Sequence, residues 1–131
     1  MILLNYAHPL HDQQLSQLER MLGSMPEVRD LPNQVDRSRT LADLARELAD
    51  AAGLSPRDWQ TQPLLVNPPG LAPIALALIA ELHGRCGGFL SILSIRPVAG
   101  STPTRYEIAE ISNLQTIRDT ARMQRTQHHI Q

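Results

Sequence analysis

The chain has 131 residues, 42% of them hydrophobic, which is enough for one domain with its own core and no disulfide or metal support. A net charge of −1 and a sequence pI of about 6.5 argue against a general binder of long nucleic acids, because such proteins present a broad basic field. Cys86 is the one cysteine, so neither a disulfide framework nor a cysteine-rich zinc site is expected. The opening MILLNYAH lacks the features of a signal peptide, and the apolar segment near Ile74 is too short to cross a bilayer. We therefore expect a soluble cytoplasmic domain over residues 1–127 and a frayed tail at 128–131.

The first predicted unit is a strand followed by a helix. The apolar run from Ile2 to Ala7 has the length of a strand and opens on a β-branched residue. Polar or ring-bearing residues gather where that strand should stop, namely Asn5, Tyr6, His8 and Pro9. Leucines then recur at helical spacing, which predicts a helix from about Asp12 to Gly23 with the glycine as its stop. The segment from Val28 to Leu31 predicts a weaker strand, and an exposed polar loop around Asn33 follows.

A second amphipathic helix is predicted after that loop. Thr40 and Asp43 have the spacing of a capping box, and apolar residues repeat at helical spacing as far as Gly53. The segment from Ser55 to Gln62 predicts a connector into the next strand. It contains the chain's one tryptophan, Trp59, which we expect to be a packing residue.

The most informative stretch is PLLVNPPGLAPIALALIAELHGR, from Pro63 to Arg85. Its first residues are a short apolar run that predicts a buried strand. That strand is broken by four residues that favour a turn: Asn67, Pro68, Pro69 and Gly70. A helix follows, with Pro73 in its first turn, and small or apolar residues fill more than one of its sides. One side can cover the sheet, and for the other we expect a second copy of the chain packed about a twofold axis.

The last third of the chain predicts two more strands and a helix. The segment from His83 to Gly88 predicts a flexible turn, and the alternation from Phe89 to Ile95 predicts a strand. The segment from Tyr106 to Ile111 predicts an antiparallel edge strand, after which Asn113 caps a final helix. The resulting order, βαβαβαββα, predicts one α/β domain with a mostly parallel, Rossmann-like open sheet flanked by helices.

Polar residues follow both the first strand and the strand at Leu64. If these strands are parallel neighbours, their carboxyl ends share the edge where open α/β sheets bind nucleotides, and that edge contains Asn5, Tyr6, His8, Asn67 and Gly70. The amides suit a base edge or a ribose, the turn with Pro68 and Pro69 offers backbone donors to a phosphate, and His8 can transfer a proton near neutral pH. The alternative is that the asparagines only tie down turns and that His8 caps the first helix.

Several arginines are candidates for phosphate contacts at the same edge. Arg96 follows a predicted strand, so we expect it to reach the edge and pair with phosphate. Arg85 lies at the far end of its helix, where contact with the helix C-terminus is its expected role. The last helix carries a stripe that is usually only a solvated face, formed by Arg118, Arg122 and Arg125.

No metal and no cofactor are predicted. Pairs such as His8 with His11, or His83 with Cys86, lack the second matched pair of a structural zinc site. The PPG turn is neither a Walker motif nor a GxGxxG fingerprint. Cys86 has no assignable catalytic partner, so it is interpreted as a small residue in a turn.

Three strings resemble a small family of CRISPR-associated ancillary proteins found beside type III systems, one of the numbered Csx families. They are MILLNYAHPL, WQTQPLLVNPPGLAPIALALIAELHGRCG and NLQTIRDTARMQR, of which NPPGLAP and ELHGR are the most specific parts. The likeness runs through nearly the whole chain. It implies a dimeric, Rossmann-like domain similar to CARF sensors that handles cyclic oligoadenylates, with cyclic tetra-adenylate as the expected ligand.

The resemblance also implies that the protein ends an antiviral signal, either by cutting the ring or by sequestering it. Cutting needs no metal, because a ribose 2′-hydroxyl held in line with its own phosphorus can attack it, and His8 is the side chain suited to proton transfer. A twofold-symmetric ring matches a homodimer, which either stays a dimer or assembles further on ligand binding. Two alternatives stay open: an interaction module that docks another protein through the apolar helix containing Ile74, and a generic nucleotide-dependent enzyme.

Overall fold

The structure is a computed structural model that describes residues 1–32 and 34–130, with side-chain environments as far as Thr126. Its strands are β1 (Ile2–Asn5), β2 (Glu27–Asp30), β3 (Leu64–Asn67), β4 (Ser91–Pro97) and β5 (Tyr106–Asn113). Its helices are α1 (Asp12–Leu22), α2 (Leu41–Ala51), α3 (Pro56–Thr61), α4 (Ala72–Cys86) and α5 (Leu114–Ile130). The predicted α/β class is confirmed.

The strands form one open sheet in the order β2-β1-β3-β4-β5. The first four are parallel, and β5 pairs antiparallel with β4 at the edge, as expected. The strands β1 and β3 are direct neighbours, so Asn5 lies opposite Asn67 at their carboxyl ends. The topology is therefore that of a mostly parallel, Rossmann-like sheet, and it creates the predicted edge.

Two hydrophobic cores lie on the two faces of the sheet. Leu4 and Val66 face one core together with α2, α3 and α4, whereas Leu3 and Leu65 face the other together with α1. This alternation follows from the pleat of the strands, which sends successive side chains to opposite faces. None of the helices in the described part of the chain has both the length and the apolar character needed to cross a bilayer.

Local signals fix the ends of the first two helices. Gly23 ends α1 in the left-handed conformation, with φ of 83°, which a side chain at this position would disfavour. The Thr40 hydroxyl accepts a hydrogen bond from the Asp43 N–H at 3.1 Å, so the predicted cap of α2 is confirmed. Both observations explain why these boundaries were readable from the sequence.

Two boundaries differ from the prediction. The segment predicted as a connector contains α3, because Ser55 and Asp58 form a reciprocal capping box and Pro56 begins the helix. The predicted flexible turn at His83 is also wrong, since α4 continues to Cys86 and ends at Gly87 in the left-handed conformation. Packing against the sheet keeps α4 helical through its internal glycine.

One stripe of α4, formed by Ile74, Leu78 and Leu82, is buried in the core that it shares with the sheet and with α2. The other small and apolar residues of α4 are half-buried or exposed. This leaves an apolar surface centred on Leu76, which is 74% exposed. A homodimer stays a prediction, and its interface on α4 would be limited to that surface.

The edge of β5 is occupied by side chains of α1. Gln17 accepts from the Ile108 N–H at 2.8 Å and donates to the Ile108 carbonyl at 3.2 Å, as a neighbouring strand would. Gln14 donates to the Tyr106 carbonyl at 3.1 Å. These side-chain amides satisfy backbone groups that an edge strand otherwise leaves open.

The helix α5 makes little contact with the rest of the domain. The Asn113 side chain accepts from the Thr116 N–H at 3.1 Å, which confirms the predicted cap. From Thr116 to Thr126 every residue is exposed, including the stripe of arginines. Gln131 lies outside the described residues, as do the side chains at 127–130, so the frayed tail stays a prediction.

The two leucines Leu78 and Leu76 on α4 provide a test of this packing. Leu78 is fully buried, so Leu78→Ala should lower the free energy of unfolding by about 2–5 kcal/mol. Leu76→Ala should change it by less than about 0.5 kcal/mol at low protein concentration, because the side chain is mostly in solvent. Urea denaturation followed by circular dichroism measures both. Equal losses that do not depend on protein concentration would contradict the placement of α4.

Candidate functional site

The centre of the carboxyl edge is a pair of buried asparagines. Asn67 donates from Nδ2 to Oδ1 of Asn5 at 3.0 Å, and the two side chains are 4% and 0% exposed. Strand register brings them together, because Asn5 and Asn67 end neighbouring parallel strands. The predicted meeting of these two residues is therefore confirmed.

Asn5 uses its whole hydrogen-bonding capacity inside the protein. Its Nδ2 donates to the carboxylate of Asp30 at 2.8 Å and to the carbonyl of His8 at 3.1 Å. Its Oδ1 accepts from Asn67 and from the Ala7 N–H, the latter at 3.1 Å. An asparagine amide has two donors and two acceptor positions, so none is left for a ligand. The expected ligand contact of the Asn5 side chain is corrected to a structural role, while Asn67 commits only one donor to this pair.

Tyr6 turns away from the edge. Its side chain is fully buried in the core beneath α2, and its hydroxyl donates to the Leu48 carbonyl at 2.8 Å. Burial raises the pKa of the Tyr6 phenol well above its ordinary value near 10. The expected ligand contact of this side chain is therefore corrected to core packing.

His8 is the exposed member of the predicted set. Its backbone carbonyl is held by Asn5, which fixes the chain at the point where the histidine leaves the strand. The residue is exposed to solvent at the carboxyl edge. This position leaves the imidazole accessible to a ligand that lies over β1 and β3.

The turn into α4 presents a helix N-terminus to the same edge. Pro68 and Pro69 are half-buried, Gly70 is exposed, and Leu71 precedes the helix without a side-chain cap among the described residues. The first turn of α4 contains no acidic residue, whereas the first turns of α1, α2 and α3 each contain an aspartate. The positive end of the helix dipole is thus left without a negative partner from its own first turn.

The two single arginines have specific partners in the protein. Arg96 lies near the end of β4 and pairs with Glu107 of β5 at 3.1 Å, so a phosphate would compete with that carboxylate. Arg85 pairs with Glu81 and with Asp50 of α2, both at 3.0 Å, and lies 5.9 Å from the centre of the Trp59 ring. Its expected role at the helix C-terminus is corrected to a bridge between helices.

Two loop arginines near the edge were missed by the sequence analysis. Arg37 and Arg39 line a cavity of about 210 Å³ together with leucines of α2 and the first residues of α4. In the sequence they are only two arginines just before the Thr40 cap, and nothing in that pattern indicates that the loop folds toward α4. A second cleft of about 470 Å³ lies between α1 and the β4–β5 hairpin, on the other face of the sheet.

Metal binding and thiol chemistry find little support at this edge. Among the described residues, no group of three His, Cys, Asp or Glu side chains could hold a metal ion. Cys86 is half-buried at the end of α4, and burial raises the pKa of its thiol, which disfavours the thiolate. The chemistry of the edge is therefore that of amides, backbone donors, arginines and one histidine.

Comparison with known proteins adds no relative: no protein-family model, no curated protein and no solved structure matches the chain.

The burial of Tyr6 makes a prediction about alkaline pH. The unfolded phenol ionises near pH 10 while the folded one stays protonated, so the folded state holds more protons and stability falls as the pH rises. Above about pH 10, wild type should lose about 1.4 kcal/mol per pH unit more than Tyr6→Phe does. Urea denaturation between pH 7 and 11 measures this difference. Parallel curves for the two proteins across that range would contradict the assignment.

Proposed function

We propose that the protein binds cyclic tetra-adenylate at the carboxyl edge of its sheet, as a homodimer in the cytoplasm, and so lowers the signal of a type III CRISPR system. The observation that carries the proposal is the Asn5–Asn67 pair beside an α4 N-terminus that has no acidic residue. The likeness of NPPGLAP and ELHGR to the Csx-type family supplies the identity of the ligand.

Three features of the geometry support a nucleotide ligand. The edge lies at the carboxyl ends of parallel strands, where open α/β sheets place their ligands. The α4 N-terminus offers backbone donors and a positive dipole end to a phosphate. Asn67 has amide capacity beyond its bond to Asn5, and that capacity suits a base edge or a ribose hydroxyl.

The proposed ring cleavage would be an intramolecular phosphoryl transfer. A ribose 2′-oxygen forms a bond to the adjacent phosphorus, the bond from phosphorus to the 5′-oxygen breaks, and the products are a cyclic phosphate end and a 5′-hydroxyl end. The 2′-hydroxyl loses its proton, and the leaving 5′-oxygen gains one. His8, which is exposed at the same edge, would make one of these transfers, and α4 with the arginines would stabilise the phosphate charge.

Sequestration would need the same binding site but no proton-transfer group. A binder that holds the ring away from in-line geometry gives no cleavage, however tightly it binds. The chain contains no lysine, so positive charge near the phosphates comes only from arginines, histidines and helix termini. Cleavage and sequestration are therefore two outcomes of one binding proposal.

A second candidate is a protein-docking module, and the exposure of Leu76 favours it. The side chain is 74% exposed on the outer side of α4, and Leu71 at the start of that helix is 38% exposed. Such a module would bind another protein through this surface and would not retain cyclic nucleotides. The assays below separate the two candidates.

The first test is incubation of the protein with radiolabelled cyclic tetra-adenylate, read by native gel and by denaturing chromatography. Wild type should retain the label, and His8→Ala should slow any conversion to linear product by at least about tenfold, since one proton-transfer group contributes on that scale or above. Ser24→Ala, at the opposite edge of the sheet, is the matched control. A retained, intact ring identifies sequestration, and absence of retention overturns the ligand assignment in favour of the docking module.

Gly70 allows a second test in which charge alone is varied. A side chain at Gly70 meets no atom within 4 Å, and its φ is not left-handed, so the fold accommodates Gly70→Asp and Gly70→Asn alike. The aspartate should weaken ring binding by about tenfold or more relative to the asparagine, because its carboxylate occupies the helix N-terminus that a phosphate needs. Isothermal titration measures both affinities. Equal affinities would exclude the α4 N-terminus as the phosphate site.

A further inference from the structure

The cavity of about 210 Å³ lies between the N-termini of α2 and α4. Its floor is formed by Leu44 and Ile74, which are 3% and 5% exposed, and its walls by Leu41 and Leu71, which are 45% and 38% exposed. The cavity therefore has a dry apolar bottom and an open mouth. Its walls belong to the two helices that begin beside the carboxyl edge.

Charge is confined to the mouth. Arg37 and Arg39 are the charged residues of the lining, and both are exposed. Arg39 pairs with Glu47 of α2, so part of its charge is already compensated. Arg37 sits between Asp36 and Ser38, whose side chains hydrogen-bond at 2.6 Å and so shape the loop around it. The mouth thus presents two guanidinium groups, of which that of Arg39 is compensated by a carboxylate, and the floor is apolar.

This combination selects a small ligand with a flat apolar part and an attached anion. Pockets for drug-sized ligands measure about 300–1,000 Å³, so this cavity suits a single bicyclic ring. Leucine, isoleucine and proline side chains contact the faces of such a ring, and a guanidinium stacks on it or pairs with its phosphate.

We propose that this cavity is the base pocket of the site, holding one purine base of an adenylate while Arg37 and the α4 N-terminus bind the phosphates on either side. The inference rests on the proposed function for its ligand. It goes beyond the sequence motifs because the pocket joins Leu71 and Pro73 of the NPPGLAP string to Arg37 and the start of α2, a combination that no motif indicated. Leu71 and Pro73 connect the two parts, because they line the cavity and also belong to the start of α4. In a twofold dimer the two pockets would take two of the four bases of a cyclic tetra-adenylate.

The pocket has a consequence for specificity. A base that enters it must leave water and fill an apolar space, so a ring with smaller bases would lose contact area there. Replacing adenine by a pyrimidine should therefore weaken binding even though the phosphates are unchanged.

The experiment fills the pocket from one wall. Leu71→Trp places a large side chain at a partly exposed position, and Met21→Trp, at a similarly exposed position of α1 on the other face of the sheet, is the matched control. Isothermal titration with cyclic tetra-adenylate should show binding weakened by about tenfold or more in Leu71→Trp and within about twofold of wild type in Met21→Trp. Arg37→Glu, at an exposed position that the fold does not require, should show a comparable loss.

A second readout separates this inference from the proposed function. Adenosine monophosphate is titrated into wild type while the methyl signals of Leu44 and Ile74 are followed by NMR. Shifts of these methyls without any binding of the cyclic ring would sustain the pocket and overturn the function. Ring binding that is unchanged in Leu71→Trp and in Arg37→Glu would overturn the pocket and leave the function standing. Neither binding nor shifts would remove both.

Discussion

The arrangement of the carboxyl edge depends on the side-chain amide of Asn5, all of whose donors and acceptors are hydrogen-bonded within the protein. It joins three neighbouring strands, because it bonds to Asn67 of β3 and to Asp30 of β2 from its own place in β1. It also holds the chain that leaves β1 through the Ala7 N–H and the His8 carbonyl. A fully buried amide with any of these bonds missing would cost about 1–3 kcal/mol, so the strand ends are held in one arrangement. The backbone that carries His8 and the turn after Asn67 is therefore held in a fixed position as well.

The carboxyl edge thus contains two groups of residues: some stabilise the strand ends, and others are available to bind a ligand. Asn5 and Tyr6, both predicted as ligand contacts, stabilise the structure, while His8 and Gly70 are exposed at the edge. Asn67 is buried but keeps amide capacity beyond its bond to Asn5. A binder of a charged ring benefits from this division, because little side-chain ordering has to accompany ligand entry. The same rigidity serves cleavage only where it places the 2′-oxygen in line with its phosphorus.

Prediction from the sequence succeeded where the signal was local. The caps of α1 and α2, the turn at Asn67 and the adjacency of β1 and β3 follow from short patterns and from one topological rule. The direction of the Tyr6 side chain could also have been predicted, because Ile2, Leu4 and Tyr6 alternate along β1 and therefore point to the same face of the sheet. The polar hydroxyl of Tyr6 instead suggested a ligand contact. The pocket at Arg37 was not readable, because it depends on how a loop folds over two helices that are distant in sequence. The short α3 was missed because its six residues make fewer than two turns and so give little periodicity.

The glutamines that cover β5 constrain how this protein can assemble through its sheet. Strand addition needs a free edge on each partner, and Gln14 with Gln17 occupies the outer edge of β5 between Tyr106 and Ile108. A second molecule that adds to this end of β5 would have to displace both glutamines, whereas one that adds to β2, at the other end of the sheet, would leave them in place. Two β2 edges that pair with each other leave neither one free, so association by that route closes at a symmetric dimer.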